Sequence, residues 1–304
     1  MDNTNSHQLS ELVDVNNSTS VLKEVESIYS QHYEPSHFSP VKECFNQVKK
    51  LFNGEFKGYK ACNTQYHDLN HTLTAFLTAA RIVDGYNLSE EKLQEKYVIL
   101  VLQAALLHDV GYIQDNNDNQ GTGAKYTLIH IERGIQFIDK YFQPYSINSE
   151  SIPLIERMIK CTSLNIDFKN ISFESEEEKT IGSIMGTADL IGQIADRVYL
   201  EKLIFLYYEF KEAGIFGYNT EFDIIKKTLK FYMVMRDRLI TTLGGLYHYL
   251  RKHFCERYGI DKNLYIVTIS HNIDYLEKII SDDSTNFRKK LKRMDLEKIN
   301  SMSV

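Results

Sequence analysis

The chain has 304 residues, of which 43% are hydrophobic and 25% are charged. This composition excludes a wholly disordered chain and is sufficient to bury a large core. The formal net charge of -6 gives no general electrostatic reason to bind nucleic acid or an anionic membrane. A small anionic substrate would therefore need local cations in its site.

The cysteines and the N-terminus bear on the cellular compartment. The four cysteines form no CxxC pair, and the first residues lack the basic-then-apolar order of a secretory signal. No apolar run reaches the roughly 20 residues needed to cross a bilayer. We therefore predict a reduced, cytoplasmic setting without a membrane span, and the sequence leaves open whether the chain forms a homo-oligomer.

Three segments are predicted along the chain. Residues 1–20 are polar, rich in Asn and Ser, and lack apolar periodicity, which predicts a flexible leader. Residues 21–281 show helical apolar spacing almost throughout and no convincing alternating strand, which predicts an all-α domain. Residues 282–304 are basic and are expected to form a solvated tail or helix; an amphipathic helix for a partner or membrane surface is the alternative.

Helix ends are predicted where a glycine or proline follows a periodic stretch, because these residues favour left-handed or helix-breaking backbone. The predicted ends are Asp84-Gly85, Gly111, Pro144, Gly214 and Gly259.

The stretch from Tyr97 to Leu107 is interrupted by one polar residue, Gln103, and runs directly into His108-Asp109. A helix that is apolar all round is buried, so ending it in two water-seeking groups requires partners for them. The negative end of the helix dipole also favours a nearby cation. A bound metal ion would satisfy both requirements.

Upstream, His67 and His71 are four residues apart. On one helix they would lie one turn apart and could contact the same ion. The spacing alone is equally typical of a solvated polar face.

Downstream, Asp189 lies in a segment where Gly182, Gly186 and Gly192 permit close helix packing. A lone buried carboxylate there is costly, so it either caps a helix, pairs with Arg197 or binds an ion. Two imidazoles and two carboxylates can hold a first-row divalent metal and leave positions open for water. The predicted ligands are His71, His108, Asp109 and Asp189.

Three motifs in chain order, Tyr-His-Asp-x-x-His at 66–71, His-Asp-Val-Gly at 108–111 and Thr-Ala-Asp-Leu at 187–190, resemble the HD superfamily of metal-dependent phosphohydrolases over residues of about 60–200. Their form is similar to that of class I cyclic-nucleotide phosphodiesterases. The resemblance implies an HD-type helical bundle with additional C-terminal helices and one or two divalent ions, Mg, Mn, Zn or Fe. It implies metal ligation by the four residues named above, and a general acid at His67.

The chain departs from the phosphodiesterase pattern at two positions. Asp68 stands where those enzymes usually have Asn, and Tyr112 stands near a position that is usually histidine. His130 resembles a later histidine of binuclear HD enzymes, so it is either a second-metal or phosphate contact or a structural helix histidine. Cys161 lies where such enzymes add another ligand, and is expected to be a buried small hydrophobe.

Other polar residues are predicted to support the site. Lys125 and Arg133 flank His130 and could contact a phosphate, although exposed helix charges are the usual outcome. Gln193, one turn after Asp189, and Asp68 could hydrogen-bond to the ligand residues.

The sequence therefore predicts a metal-dependent phosphohydrolase that cleaves a cyclic nucleotide or a related small phosphodiester with metal-activated water. An HD-type nucleotidase acting on phosphomonoesters is the main alternative, and a di-iron HD oxygenase is a more distant one. A nucleotide-binding HD module without turnover is the non-enzymatic reading.

Overall fold

In the computed structural model, residues 8–142, 147–282 and 286–296 are described. These residues form twelve α-helices joined by turns and short 3₁₀ segments, with no strand and one isolated β-bridge. The predicted all-α fold is confirmed. The helices are α1 Leu9–Leu12, α2 Ser18–Tyr29, α3 Ser39–Phe52, α4 Leu69–Asn87, α5 Glu95–Leu107, α6 His130–Tyr141, α7 Ile152–Lys160, α8 Glu176–Ile194, α9 Tyr199–Glu212, α10 Glu221–Asp237, α11 Tyr249–Tyr258 and α12 Leu264–Ser281.

Helices α4, α5 and α8 form the centre of the fold. Helix α4 packs along α8 and also against α2, α5 and α11, while α5 packs against α3, α7 and α8. The last two turns of α5, from Val101 to Leu107, are buried on every side. This burial follows from the apolar run, in which Gln103 is the one polar residue, and it brings the residues after α5 into the interior.

Small residues in α8 allow these helices to approach closely. A side chain at Gly192 would meet the Thr78 hydroxyl of α4 at 3.1 Å, and one at Gly186 would meet the Cys161 carbonyl at 2.7 Å. The prediction of close packing along α8 is confirmed. Asp189 lies between these two glycines and is carried into the core with them.

The predicted helix ends are partly confirmed. Gly214 and Gly259 follow α9 and α11 with φ of 71° and 67°. The end predicted at Asp84-Gly85 is wrong because α4 continues to Asn87. A side chain at Gly85 would lie 2.0 Å from the carbonyl of Tyr249, so this glycine is needed for helix packing rather than for a turn. The end predicted at Pro144 lies outside the described residues.

Two predictions for the chain ends need correction. Residues 8–20 contain α1 and the start of α2, and Val13 is buried, so the leader prediction is wrong from residue 8 onward. Residues 1–7 lie outside the described residues.

At the other end, residues 286–296 form one 3₁₀ turn followed by an irregular segment with a bend, rather than a solvated tail or helix. This segment packs onto the fold because Leu291 is buried and the backbone N–H of Arg293 donates to Glu201 at 3.0 Å. Residues 283–285 and 297–304 of the predicted tail lie outside the described residues. Among the described helices, none is long and apolar enough to cross a membrane.

Candidate metal centre

Four side chains predicted as ligands meet at the junction of the three central helices. His71 lies in the first turn of α4, His108 follows the last residue of α5, and Asp109 comes next in the chain. Candidate ligand atoms of these three residues all lie within 4.8 Å of one another. Asp189 approaches from α8.

The distances within this group are short. The Nε2 atom of His71 lies 3.3 Å from Oδ2 of Asp109 and 3.2 Å from Oδ1 of Asp189. The Nε2 atom of His108 lies 3.2 Å from Oδ2 of Asp109, 3.6 Å from Oδ1 of Asp189 and 3.2 Å from Nε2 of His71. All four residues are buried. Two imidazole nitrogens and a carboxylate oxygen of Asp109 therefore form one compact group, and an oxygen of Asp189 approaches both imidazoles from α8.

The two carboxylates lack hydrogen-bond donors of their own. Oδ2 of Asp109 and Oδ1 of Asp189 are buried without a hydrogen-bond partner among the described residues. An unsatisfied buried acceptor is costly, and the cost is higher for a charged one. These are the oxygens that face the histidines, so the donor set fits a divalent cation of the kind that binds nitrogen and oxygen ligands.

Backbone carbonyls orient two of the surrounding imidazoles. Nδ1 of His108 lies 2.9 Å from the carbonyl of Ala105, and Nδ1 of His130 lies 2.7 Å from the carbonyl of Thr127. A carbonyl accepts only from a protonated nitrogen, so each contact places the proton on Nδ1 of the neutral ring and leaves Nε2 as an acceptor. Such contacts are typical of metal-binding histidines.

The charges in the group stabilise one another. Burial alone would lower the pKa of His71, but attraction to the carboxylates of Asp109 and Asp189, 3.3 and 3.2 Å from its Nε2, raises it to about 10. Burial would raise the pKa of Asp109, yet the adjacent His108 and His71 hold it well below its usual range. In the metal-free protein a proton on His71 therefore occupies the place of a cation.

His67 lies beside this group and is held by a carboxylate that the sequence analysis missed. Its Nδ1 is 2.6 Å from Oε2 of Glu209 in α9, and Glu209 is only 1% exposed. The other oxygen of Glu209 accepts from the backbone N–H groups of Gln65 and Tyr66 at 2.8 and 2.7 Å. Glu209 thus fixes both the segment before α4 and the orientation of the His67 ring.

The prediction that His67 and His71 share a helix face is wrong. Helix α4 begins at Leu69, and the carboxylate of Asp68 caps it by accepting from the N–H of His71 at 2.8 Å. An aspartate at the N-cap fixes the start of a helix, because its carboxylate accepts from a backbone N–H of the first turn that has no acceptor within the helix. The rings of His67 and His71 are still neighbours, with centroids 5.8 Å apart.

Tyr112 fills the space between two histidines. Its ring is stacked on His67 with centroids 4.4 Å apart and on His130 with centroids 4.7 Å apart. Its hydroxyl lies 3.4 Å from Nε2 of His67. Burial raises the pKa of Tyr112 well above its usual value, so it is a neutral hydroxyl that can donate towards the site.

His130 reaches the edge of the centre. Its Nε2 is 3.9 Å from Oδ1 of Asp109, the oxygen that does not face His71 and His108. A side chain on Gly111 would lie 1.8 Å from the backbone carbonyl of His130, so only glycine lets α6 approach this closely. Asp109 therefore has one oxygen directed at the four-ligand group and the other towards His130.

The remaining predicted site residues have separate positions. Gln193 donates to the carbonyl of Asp189 at 3.3 Å and accepts from the Tyr66 hydroxyl at 2.6 Å, so it borders the centre. Asp68 caps α4 and lies 3.5 Å from Nζ of Lys202. Cys161 is buried and its thiol lies 3.2 Å from the carbonyl of Arg157, as expected of a small core residue.

The predicted phosphate contacts Lys125 and Arg133 do not reach the centre, and this prediction is wrong. Nζ of Lys125 pairs with Asp118 at 2.5 Å. Arg133 donates to the carbonyls of Gly111 and Ile113 at 3.0 and 3.2 Å. Both cations hold the segment between α5 and α6. The backbone carbonyls of this irregular segment need hydrogen-bond donors from outside a helix, and these side chains supply some of them.

A cavity of about 480 Å³ opens above the centre. Its floor is polar and contains the predicted ligands, His67 and His130, while its walls come largely from apolar and aromatic residues of α9 and α10. Representative wall residues are Leu203, Leu206, Phe210, Ile224 and Phe231. A concave, mostly apolar site with a few convergent polar groups is the usual form of a small-molecule site.

A family model described as Npun_R2479-like matches residues 19–252, well over half of the chain. The chain belongs to the Npun_R2479-like family. The matched range contains every residue of this Npun_R2479-like protein that contributes to the centre, from His67 to Glu209. No curated protein and no solved structure matches the chain.

Proposed function

We propose that the protein is a metal-dependent phosphohydrolase of the HD type. The observation that carries the proposal is a pair of buried carboxylate oxygens, on Asp109 and Asp189, that face the Nε2 atoms of His71 and His108 and have no hydrogen-bond partner in the described part of the chain. These four residues would hold one divalent ion. The resemblance of the three motifs to HD phosphohydrolases supports the same assignment.

A divalent ion bound here would supply hydroxide from a coordinated water and offset negative charge on the phosphoryl oxygens. His67 is placed to hold the proton that the leaving oxygen requires, since Nδ1 contacts Glu209 and Nε2 faces the cavity with the Tyr112 hydroxyl. Glu209 fixes the orientation of the imidazole through the contact at Nδ1. His130, near the second oxygen of Asp109, would contact a second ion or a phosphate oxygen.

The cavity favours a substrate with one phosphate group and an apolar or aromatic body. Among the Lys and Arg side chains of the described residues, Lys227 alone lines it. A di- or triphosphate would need more cations, because several charges would otherwise lose water without a partner. The aromatic rings of Phe210 and Phe231 suit a nucleobase. We therefore propose a mononucleotide-sized phosphate ester, with cyclic nucleotides as the leading class.

Metal analysis joined to a substrate panel tests this proposal. The purified protein is assayed with Mn²⁺, Mg²⁺, Zn²⁺ or Fe²⁺ against 2′,3′- and 3′,5′-cyclic nucleotides, mononucleotides and dinucleotides. Turnover of a cyclic nucleotide supports the leading class, and turnover confined to phosphomonoesters moves the assignment to a nucleotidase. Binding of a nucleotide without product would identify a non-catalytic module.

The His67→Gln variant tests the assigned proton donor. We expect turnover to fall by about 10²- to 10⁴-fold, the usual contribution of a positioned acid, with metal content unchanged. His271→Gln is the matched control, because His271 is exposed on α12. Full activity of His67→Gln at saturating metal would show that the proton comes from another group.

A further inference from the structure

The cavity above the candidate metal centre is apolar well beyond the floor that holds the predicted ligands. Along α9, Leu203, Leu206 and Phe210 recur at helical spacing and line one wall. Along α10, Ile224 and Phe231 are one heptad apart and line another. Of these five residues, Leu206, Phe210 and Phe231 are only partly buried. The walls therefore offer apolar surface that the fold itself does not cover.

Two leucines extend this apolar lining to the protein surface. Leu128, between the 3₁₀ turn Gly123–Tyr126 and α6, is 62% exposed, and Leu164, after α7, is 48% exposed. Both side chains line the same cavity as the predicted metal ligands, so they border its opening. Single exposed leucines are ordinary, whereas apolar side chains that line a cavity and remain exposed are typical of ligand-binding grooves. We call Leu128 and Leu164 the rim leucines.

Several polar side chains of the cavity walls are already bonded within the protein. The hydroxyls of Thr127, Thr162 and Thr228 each donate to a backbone carbonyl three or four residues earlier in the chain. A threonine bonded in this way has used its one donor. The side-chain amide of Gln193 is bonded at both its nitrogen and its oxygen. These four residues therefore offer little hydrogen-bonding capacity to a ligand.

The polar residues nearer the opening add few hydrogen-bonding groups. Lys227 is exposed and donates to the carbonyl of Gly217. The ring of Tyr218 packs against Phe210 with centroids 5.5 Å apart. Asn165 is an exposed lining residue that follows one of the rim leucines. Apolar contacts require no such donors, so the body of a ligand in this cavity is recognised mainly through its apolar surface.

We propose that the phosphate ester bound in this cavity carries an extended apolar group, an alkyl, acyl or aryl chain, that lies along α9 and α10 and covers the rim leucines. The phosphate end of this ligand rests on the proposed function, and the apolar end rests on the walls. The ester of the proposed function is thereby narrowed to one with an apolar extension, with or without a base. Removal of apolar surface from water supplies the affinity of this extension.

A series of alkylphosphonates measures the apolar end separately from catalysis. Ethyl-, butyl-, hexyl- and octylphosphonate share one anionic group and are not hydrolysed, because a C–P bond replaces the ester bond. Each is titrated by calorimetry into the protein loaded with Mn²⁺, at concentrations below those at which the phosphonate aggregates. We expect one site per chain and an affinity that rises about fourfold for each methylene that reaches the walls.

Substitution of the rim leucines locates this gain in affinity. The double variant Leu128→Ser/Leu164→Ser should fold, because both side chains are exposed. We expect it to bind ethylphosphonate like the wild type but to bind octylphosphonate about tenfold more weakly, the equivalent of roughly two methylenes. Ile266→Ser is the matched control, because Ile266 is an exposed hydrophobic residue of α12 outside the lining of the cavity.

Three results would overturn the proposal. They are an affinity that does not rise with chain length, wild-type affinity for octylphosphonate in the double variant, and an equal loss of that affinity in Ile266→Ser. A wild-type dimer that the double variant dissociates, together with a flat series, would assign the rim leucines to a contact between copies.

The series also separates this proposal from the phosphohydrolase proposal. If affinity rises with chain length but neither alkyl phosphates nor nucleotides are turned over, the apolar site stands and the proposed activity fails. If nucleotides are turned over while the series is flat, the activity stands and the apolar site fails. Absence of binding by every phosphonate would overturn the apolar site and the anion-binding role of the centre together.

Discussion

Helix α4 contributes to two buried histidine–carboxylate clusters, one near each end. Near its C-terminus, Asp84 lies 2.7 Å from Nδ1 of His253 and 2.7 Å from Nε2 of His32, and Arg257 contacts both of its oxygens. Near its N-terminus, His71 joins the candidate metal centre. Both clusters are buried and contain two histidines, so residue type and burial do not distinguish them.

The two clusters differ in whether each carboxylate oxygen has a hydrogen-bond donor. Each oxygen of Asp84 has donors, and although burial acts to raise its pKa, His253, His32 and Arg257 hold it well below the usual range. In that cluster, Nε2 of His253 has no hydrogen-bond partner among the residues that the structure describes, and a neutral nitrogen is less costly to bury than a carboxylate oxygen. At the other end, Asp109 and Asp189 each have an oxygen to which no described residue donates a hydrogen bond. We call the Asp84 cluster complete, because each of its carboxylate oxygens has a donor, and interpret it as structural. We call the candidate metal centre incomplete, and interpret it as suited to a ligand.

The largest expected effect is at the incomplete cluster. Asp109→Ala should abolish metal binding and turnover, because it removes the carboxylate that faces both His71 and His108. In the wild-type protein, metal at about a thousand times its Kd should raise the free energy of unfolding by about 4 kcal/mol, and the variant should lose this gain. Denaturant unfolding with and without metal measures it. An unchanged metal-dependent gain in Asp109→Ala would mean that the ion binds elsewhere.

At the complete cluster, the expected effect is on stability alone. Asp84→Ala leaves His253 and Arg257 without their carboxylate and should lower the free energy of unfolding by about 3–5 kcal/mol, as for other broken buried pairs. The gain produced by metal should remain. If Asp84→Ala instead lost metal while keeping its stability, the roles of the two clusters would be reversed.

The effect of pH on the stability of the metal-free protein should be smaller than the effects of the two aspartate substitutions, and part of it should come from His71. The pKa of His71 is raised to about 10 from its usual value of 6.5, so its contribution to stability is fully present below about pH 6.5 and is lost as pH rises through 10. Unfolding in EDTA across this window should therefore show stability falling with pH. His71→Gln should show a shallower fall, which separates His71 from other groups that titrate there.

Metal binding should respond to pH in the opposite direction. A divalent ion must displace the proton from His71, so affinity should rise as pH increases towards 10. Calorimetry in two buffers of different ionisation enthalpy would detect the released proton. Metal affinity independent of pH would contradict a protonated His71 in the metal-free protein.

The smallest effect is expected outside both clusters. Lys125→Ala removes the pair with Asp118 in the segment between α5 and α6, and Lys125 does not line the cavity above the centre. We expect turnover of the substrate to stay at the wild-type level. A specific loss of substrate binding would restore the phosphate contact predicted from the sequence.

The sequence predicted which side chains lie together at the candidate centre better than it predicted their surroundings. His108 and Asp109 were identifiable because a fully apolar helix ends on them, and α5 is buried on every side as that pattern requires. Glu209 was missed because it lies among aromatic residues of an ordinary amphipathic helix. The sequence offered only a weak sign of its role, the spacing of two charges, Lys202 and Glu209, seven residues apart in α9. The structure shows that both are buried.

The errors in local geometry arose at residues whose type is compatible with two structural roles. Asp68 was considered as a support for the ligands, yet an aspartate before a helix is also a cap, and capping moved His67 off α4. Gly85 was interpreted as a helix end, whereas it is a contact point for the backbone of Tyr249. A glycine has the same appearance in sequence whether it permits a turn or a close approach, and only the packing partner decides between them.

The contact between His67 and Glu209 joins residues 142 positions apart. A chain emerging from the ribosome cannot fix the orientation of His67 until α9 has been synthesised, long after the four candidate ligands are available. On the proposed function, a fragment ending before α9 would therefore keep His71, His108, Asp109 and Asp189 but would lack the carboxylate that holds the proton donor. Metal binding and turnover should separate in such a fragment if its helices form.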